Sequence, residues 1–293
     1  MQEKRNIINP VNIALVLLFL VGLAVAAYPF VSNAFYQMRA NEQIDAYTQT
    51  VSKGDAEAYK KAFEEARAYN EVLVGQTVPD VFAIREGTVD KEYESMLNVN
   101  GDQMMGLVEI PVIDVRLPIY HYSTEETLLK GCGHIFGSSL PVGGESSHAV
   151  LTAHRGLPTA ELFSELDKVQ KGDKFFLKVL DQTLAYEVDH IEVVAPTDTR
   201  SLAIERGKDY VTLVTCTPYG VNTDRLLVRG HRVDYQPDDE LADGGFRMSR
   251  LLSLLLKIAA VAAGVGLAAL IVWLVNKRRA QVVDDVVRGR HAQ

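Results

Sequence analysis

Positive charge is in short supply in this chain. Its 30 Lys and Arg face 38 Asp and Glu, a net charge of −8 over 293 residues, which argues against a nucleic-acid partner. Histidine is sparse as well. His134, His148, His190 and His231 form no ligand cluster with acidic residues at usual spacings, so no metal is expected. A phosphate-binding glycine loop and a dinucleotide motif are both missing, and no cofactor is expected. Cysteine occurs only twice, as Cys132 and Cys216.

What the chain does have is two long apolar runs. Residues 13–31 are continuously apolar apart from Tyr28, Pro29 and small residues, and residues 251–275 are broken only by Ser253 and Lys257. Both reach the length needed to span a hydrocarbon core of ~30 Å; Lys257 lies near one end and can snorkel. Lys4 and Arg5 precede the first run, while Lys277, Arg278, Arg279, Arg288 and Arg290 follow the second. Positive ends belong in the cytoplasm, so the intervening domain is expected outside, although Arg247 and Arg250 argue mildly the other way. Ala24-Val25-Ala26 also fits a signal-peptide cleavage site. An uncleaved anchor is favoured, and the second run anchors the chain in either case.

Six segments follow: a cytoplasmic N-terminus with the first span (1–31), an extracellular helical segment with a long loop (32–105), a strand-rich domain (106–235), a linker (236–250), the second span (251–275) and a basic cytoplasmic tail (276–293). Residues 32–74 are helical in pattern, broken by Gly54-Asp55, with Asp55 the expected N-cap of the second helix. Ala58, Ala62, Phe63, Ala66 and Tyr69 are expected to form that helix's packed face. Residues 75–105 are weakly patterned, and loops of this length are functional or disordered. From Gly106 strands dominate, at 106–110, 112–120, 148–153, 173–179, 183–195, 210–216 and 225–235, with helical stretches at 124–130 and 160–166. Closely spaced strands of this kind predict a mainly β barrel or sandwich.

The chemistry gathers around residues 210–232. A β-branched run ends at Cys216; Thr217, Pro218, Gly220, Asn222 and Asp224 turn the chain, and a second strand opens at Arg225. Strand, turn and strand return Arg225 to Cys216, setting a thiol beside an anion stabiliser. A lone strand-end cysteine is more often a small buried hydrophobe. His154, at the end of another apolar strand, changes that balance, because paired strands would then deliver a Cys/His couple. A disulfide would consume Cys216, so Cys132 is read as a separate buried thiol. His148 is read as structural, and Asp224 as a solvated turn residue.

The run TLVTC (212–216) with TPYGVNTDRLLVRG after it resembles the signature of the sortases, the cysteine transpeptidases of Gram-positive cell surfaces. LPVGG (140–144), residues 156–176 and LAYEVD (184–189) are similar to the class C, pilus-assembling group, and LTAHRG carries the family's histidine. The resemblance implies an eight-stranded sortase barrel with short helices, preceded by a helical and lid segment. It implies Cys216 as nucleophile, His154 as acid/base and Arg225 as substrate or oxyanion stabiliser. The expected reaction cleaves an LPxTG-type sorting signal between Thr and Gly and joins it to a pilin lysine amine. The partners would be pilin or surface-protein sorting signals and the membrane. A housekeeping sortase serving a peptidoglycan precursor, a hydrolytic cysteine peptidase and a catalytically dead binding module are the alternatives. VPDVF (78–82) resembles the lid motif of that group, with Asp80 as its acid, Phe82 as its aromatic, and Val81 where a proline is usual. Two further departures are Asp224, where pilus sortases usually have His, and GCGHIFG (131–137), with Cys132 and Phe136.

Overall fold

A computed structural model describes residues 10–75 and 90–237, together with Leu256, residues 259–261, 263–266 and 268. The lid-like stretch 78–82, with Asp80 and Phe82, lies outside the described residues, as does most of the second apolar run. The chain divides into two compact units, Tyr28–Leu241 and a second that joins Met1–Ala27 with Ala242–Gln293. The larger unit holds eight strands: β1 Met104–Ile110, β2 Val115–His121, β3 Cys132–His134, β4 Ser147–Thr152, β5 Lys174–Val179, β6 Gln182–Val194, β7 Asp209–Thr217 and β8 Asp224–Val233. They close into a barrel in the order β1-β2-β3-β4-β7-β8-β6-β5.

Two neighbouring pairs in that ring, β2/β3 and β4/β7, are parallel. Parallel neighbours need a crossover, since a tight turn returns the chain antiparallel. The β2–β3 crossover contains a short helix, α4 Glu125–Lys130, started by the Thr124 side chain accepting from Thr127 N. The β4–β7 crossover carries β5 and β6. Parallel strands end at the same rim, so the C-terminal ends of β4 and β7 come side by side.

Two helices precede the barrel, α1 Pro10–Lys53 and α2 Ala56–Leu73. Among the described residues α1 is the one helix long and apolar enough to cross a membrane. Its C-terminal half turns polar and packs on the barrel. Ile44 and Tyr47 are buried with Met104, Leu107 and Tyr120, and the Tyr47 hydroxyl donates to Met105 O at 3.0 Å and accepts from Leu180 N at 2.8 Å. Asp55 caps α2 as expected, accepting from Glu57 N. Gly54 is required at the junction: a Cβ there would fall 1.7 Å from the Tyr59 hydroxyl, which donates to Val51 O near the end of α1.

Several sequence expectations need correction. Of the face expected on α2, Phe63 and Ala66 are buried and Ala62 and Tyr69 pack against the core while half-buried; Ala58 is exposed, and Tyr59, Asn70 and Leu73 are buried in addition. Asn70 belongs there because its amide pairs with both backbone groups of buried Leu140. Residues 160–166 form turns followed by a 3₁₀ turn at Leu166–Lys168, because Phe163 N is drawn back to His154 O. The second strand begins only at Val115, since Pro111–Ile113 make a 3₁₀ turn closed by left-handed Asp114. A helix inside the weakly patterned stretch, α3 Lys91–Ser95, was not anticipated; Asp90 caps it through Tyr93 N.

Candidate active site

The β4/β7 register pairs Ser147 with Asp209 and continues in step to Thr152 with Val214. Side chains carry the same 62-residue offset beyond the last ladder pair. Thr215 Oγ1 donates to Ala153 O at 2.8 Å, and Arg155 Nη1 donates to Thr217 Oγ1 at 3.1 Å. His154 and Cys216 occupy the position between these two bonds. On the other side of β7, Cys216 is the direct antiparallel partner of Arg225 on β8. Thiol, imidazole and guanidinium are therefore delivered to one rim by three adjacent strands, β4, β7 and β8.

The β7–β8 turn is built by the residues expected to turn. Val221 N and Asn222 N both donate to Pro218 O at 3.0 Å, and Gly220 and Asn222 take positive φ. Arg225 Nη1 donates to Asn222 O at 3.3 Å and Asp224 O at 3.1 Å, so the turn's own carbonyls aim the guanidinium. The Asp224 carboxylate accepts from Thr223 Oγ1 instead. Tyr219 and Val221 are exposed at the tip of this turn.

Around His154 the chain is tightly held. Arg155 is buried, pairs with Asp167 and lies 5.7 Å from the Tyr219 ring. Gly156 takes φ +77°, and a Cβ there would come within 3.3 Å of Tyr219. Both cysteines are free. Cys132 lies inside the barrel wall on β3, and burial pushes its thiol well above the usual range.

Two buried histidines, His134 and His148, serve the fold. His134 Nε2 donates to Ser139 O and Nδ1 accepts from the Tyr93 hydroxyl, both at 2.8 Å. His148 Nδ1 donates to Ala203 O and Nε2 accepts from Thr212 Oγ1. Burial depresses the pKa of each to about 4, below the ~6.5 of a free histidine. The unfolded chain then binds protons that the folded one refuses, so their stabilising effect is present above pH ~6.5 and is lost as pH falls toward 4. Thermal melts should show that decline, and His148→Gln should flatten part of it; an equal slope in wild type and variant would assign the decline to other groups.

Sequence reasoning named Cys216, His154 and Arg225 but missed Glu125, whose Oε2 lies 3.5 Å from His154 Nε2. The helical pattern of residues 124–130 was visible. What brings it over His154 is the parallel β2/β3 crossover, which no local pattern encodes.

A closed barrel with a thiol, imidazole and guanidinium on one rim has the make-up of a cysteine acyl-transfer enzyme. The sortase-domain family model matches residues 108–233. The solved sortase C of Streptococcus pneumoniae is 49% identical, covering 66% of this chain and 97% of its own, with a TM-score of 0.61. Sortase C1 of Streptococcus agalactiae is 45% identical, covering 68% and 100%, with a TM-score of 0.63. Among curated proteins, sortase A of Bacillus anthracis is 28% identical over 222 residues, 76% of this chain and 94% of that protein. The chain belongs to the sortase family of cysteine transpeptidases, and class C sortases are its structural neighbours.

Proposed function

We propose that this sortase is a pilus-assembling transpeptidase in which Cys216 is the nucleophile, His154 the acid/base and Arg225 the oxyanion and substrate donor. The single observation that carries the assignment is the strand register, Cys216 opposite Arg225 and the end of β4 in step with the end of β7. The Cys216 thiolate attacks the Thr carbonyl of an LPxTG-type signal, and the tetrahedral oxyanion is met by guanidinium N–H donors. His154 protonates the departing Gly amine as the C–N bond breaks, leaving a thioester on Cys216. A pilin lysine amine then attacks the thioester, gives its proton to His154 and releases the thiolate. Support for the pilus class comes from neighbours such as a pilus-related sortase C of Group B Streptococcus, 42% identical over 96% of its length. The test is intact-mass detection of the acyl-enzyme on the full chain with a panel of sorting peptides, with and without an amine. Product that forms equally with water alone would turn the reading to a hydrolytic peptidase.

In this reading the apolar part of α1 anchors the enzyme in a Gram-positive cell membrane, and residues 251–275 form a second span. A reporter fused after Gln293 should be cytoplasmic and one inserted within residues 237–245 outside; the reverse pattern would refute the charge argument. Asp80 and Phe82, which the resemblance makes the acid and the aromatic of a lid, would limit access to Cys216. Replacing both with alanine should raise the rate at which a thiol reagent labels Cys216, and an unchanged rate would make residues 78–82 an ordinary linker.

A further inference from the structure

The two ring nitrogens of His154 have different surroundings. Nε2 is buried from solvent and makes no conventional hydrogen bond. The carboxylate of Glu125, 3.5 Å away, is its ion-pair partner. One fifth of the His154 side chain is still exposed, so solvent meets this side chain at atoms other than Nε2, and Nε2 is its one buried nitrogen without a hydrogen bond. A carboxylate is an acceptor only and favours a proton on the nitrogen that faces it. A nitrogen that solvent cannot reach is badly placed to hand a proton to an amine arriving from outside.

We infer that Nδ1 of His154 is the nitrogen that exchanges the proton, and that Glu125 is a positioning residue that keeps the other proton on Nε2. The inference rests on the acid/base role proposed for His154. In the first half-reaction the Nδ1 proton passes to the Gly nitrogen as its bond to the Thr carbonyl carbon breaks. The ring is left neutral, with its remaining proton on Nε2 beside Glu125. In the second half-reaction the lysine amine attacks the thioester and passes a proton to Nδ1. The thiolate leaves, and the starting imidazolium is restored. With the proton on Nδ1 instead, the neutral ring would face the incoming amine with an N–H and could not accept from it. Glu125 thus acts on which neutral tautomer exists between the two halves.

The placement of α4 makes this contact a product of the fold. Thr124 caps its first turn, Thr127 Oγ1 donates to His121 O, and the Tyr36 hydroxyl of α1 donates to Lys130 O at its last residue. Glu126, the neighbour of Glu125, is engaged with Lys130 and serves as the control.

The experiment uses the full chain in detergent with nitrogen-15 histidine, its His154 signals assigned by their loss in His154→Asn. Long-range proton–nitrogen correlations, recorded at alkaline pH where imidazole is neutral, read the tautomer directly. Wild type should hold the proton on Nε2, and Glu125→Ala should give a mixture. The kcat of Glu125→Ala should fall by up to about fivefold with KM unchanged, the upper scale of one partly exposed ion pair. Glu125→Gln keeps an acceptor oxygen and should restore the tautomer and most of the rate, while Glu126→Ala should change neither. A wild-type proton on Nδ1 would overturn the inference. So would a Glu125→Ala chain with unaltered tautomer and kcat, or a Glu126→Ala chain that matched it. Failure of the proposed triad would appear separately, as wild type that never acylates Cys216.

Discussion

Cys216→Ala will give no acyl-enzyme and no polymer with any sorting peptide, while Cys132→Ala will acylate as wild type does. The two thiols differ in every respect that matters to reactivity. Cys216 is partly exposed, at a strand end opposite a guanidinium-bearing residue. Cys132 is fully buried on β3, and desolvation holds it protonated, so it offers no thiolate to attack with. Its replacement removes one small buried group and should cost stability rather than chemistry. Arg225→Ala should lower kcat/KM by about 10²–10³, the usual loss of an oxyanion donor. Arg225→Lys should recover only part of that, because an ammonium lacks the planar fork. The readout is intact mass followed by single-turnover kinetics. Acylation of the Cys216→Ala chain would end the proposed mechanism, and inactivation of a still-folded Cys132→Ala chain would show that the thiols are wrongly divided.

Tyr47→Ala should cause the largest loss of stability. Tyr47 is fully buried, and deleting a buried aromatic ring costs about 3–5 kcal/mol, a large share of the ~5–15 kcal/mol that holds a domain folded. Its hydroxyl also joins two barrel strands to α1, through Met105 O at the start of β1 and Leu180 N just after β5. Tyr47→Phe separates the two contributions: the ring stays, but the buried Leu180 N–H is stranded at about 1–3 kcal/mol. Denaturant titration of the full chain in detergent measures both. Equal stability of wild type and Tyr47→Phe would mean that the hydroxyl bridge contributes nothing net.

The extent to which the sequence foretold this structure depended on how local each signal was. Seven strands were legible because each is an apolar or alternating run bounded by turn residues. The eighth, Cys132–His134, is only three residues long and contains no β-branched residue, so the resemblance implied an eighth strand but no local pattern located it. The turn at 217–224 announced itself through Pro, Gly, Asn and Asp, which is why Arg225 could be set against Cys216. His154 entered as a second strand end; what could not be read was that β4 and β7 run parallel and adjacent, with β5 and β6 inserted between them in sequence. Glu125 was missed for the same reason. Helix signals were misread where contacts from outside the segment intervene: residues 160–166 carry Pro158 before them and apolar spacing within, yet Phe163 N donates to His154 O and Glu161 N to Asn33 Oδ1 of α1.

In the mechanism proposed above, the 62-residue offset that aligns β4 with β7 also governs when the enzyme can become active. His154 leaves the ribosome well before Cys216, and no hairpin or local collapse can unite them. Contacts so distant along the chain form late, because the loop between them must be ordered first. A partly folded molecule therefore holds its thiol and imidazole apart, so appearance of activity during refolding marks completion of the β4/β7 seam. Enzymatic turnover serves, for this chain, as a readout of barrel closure.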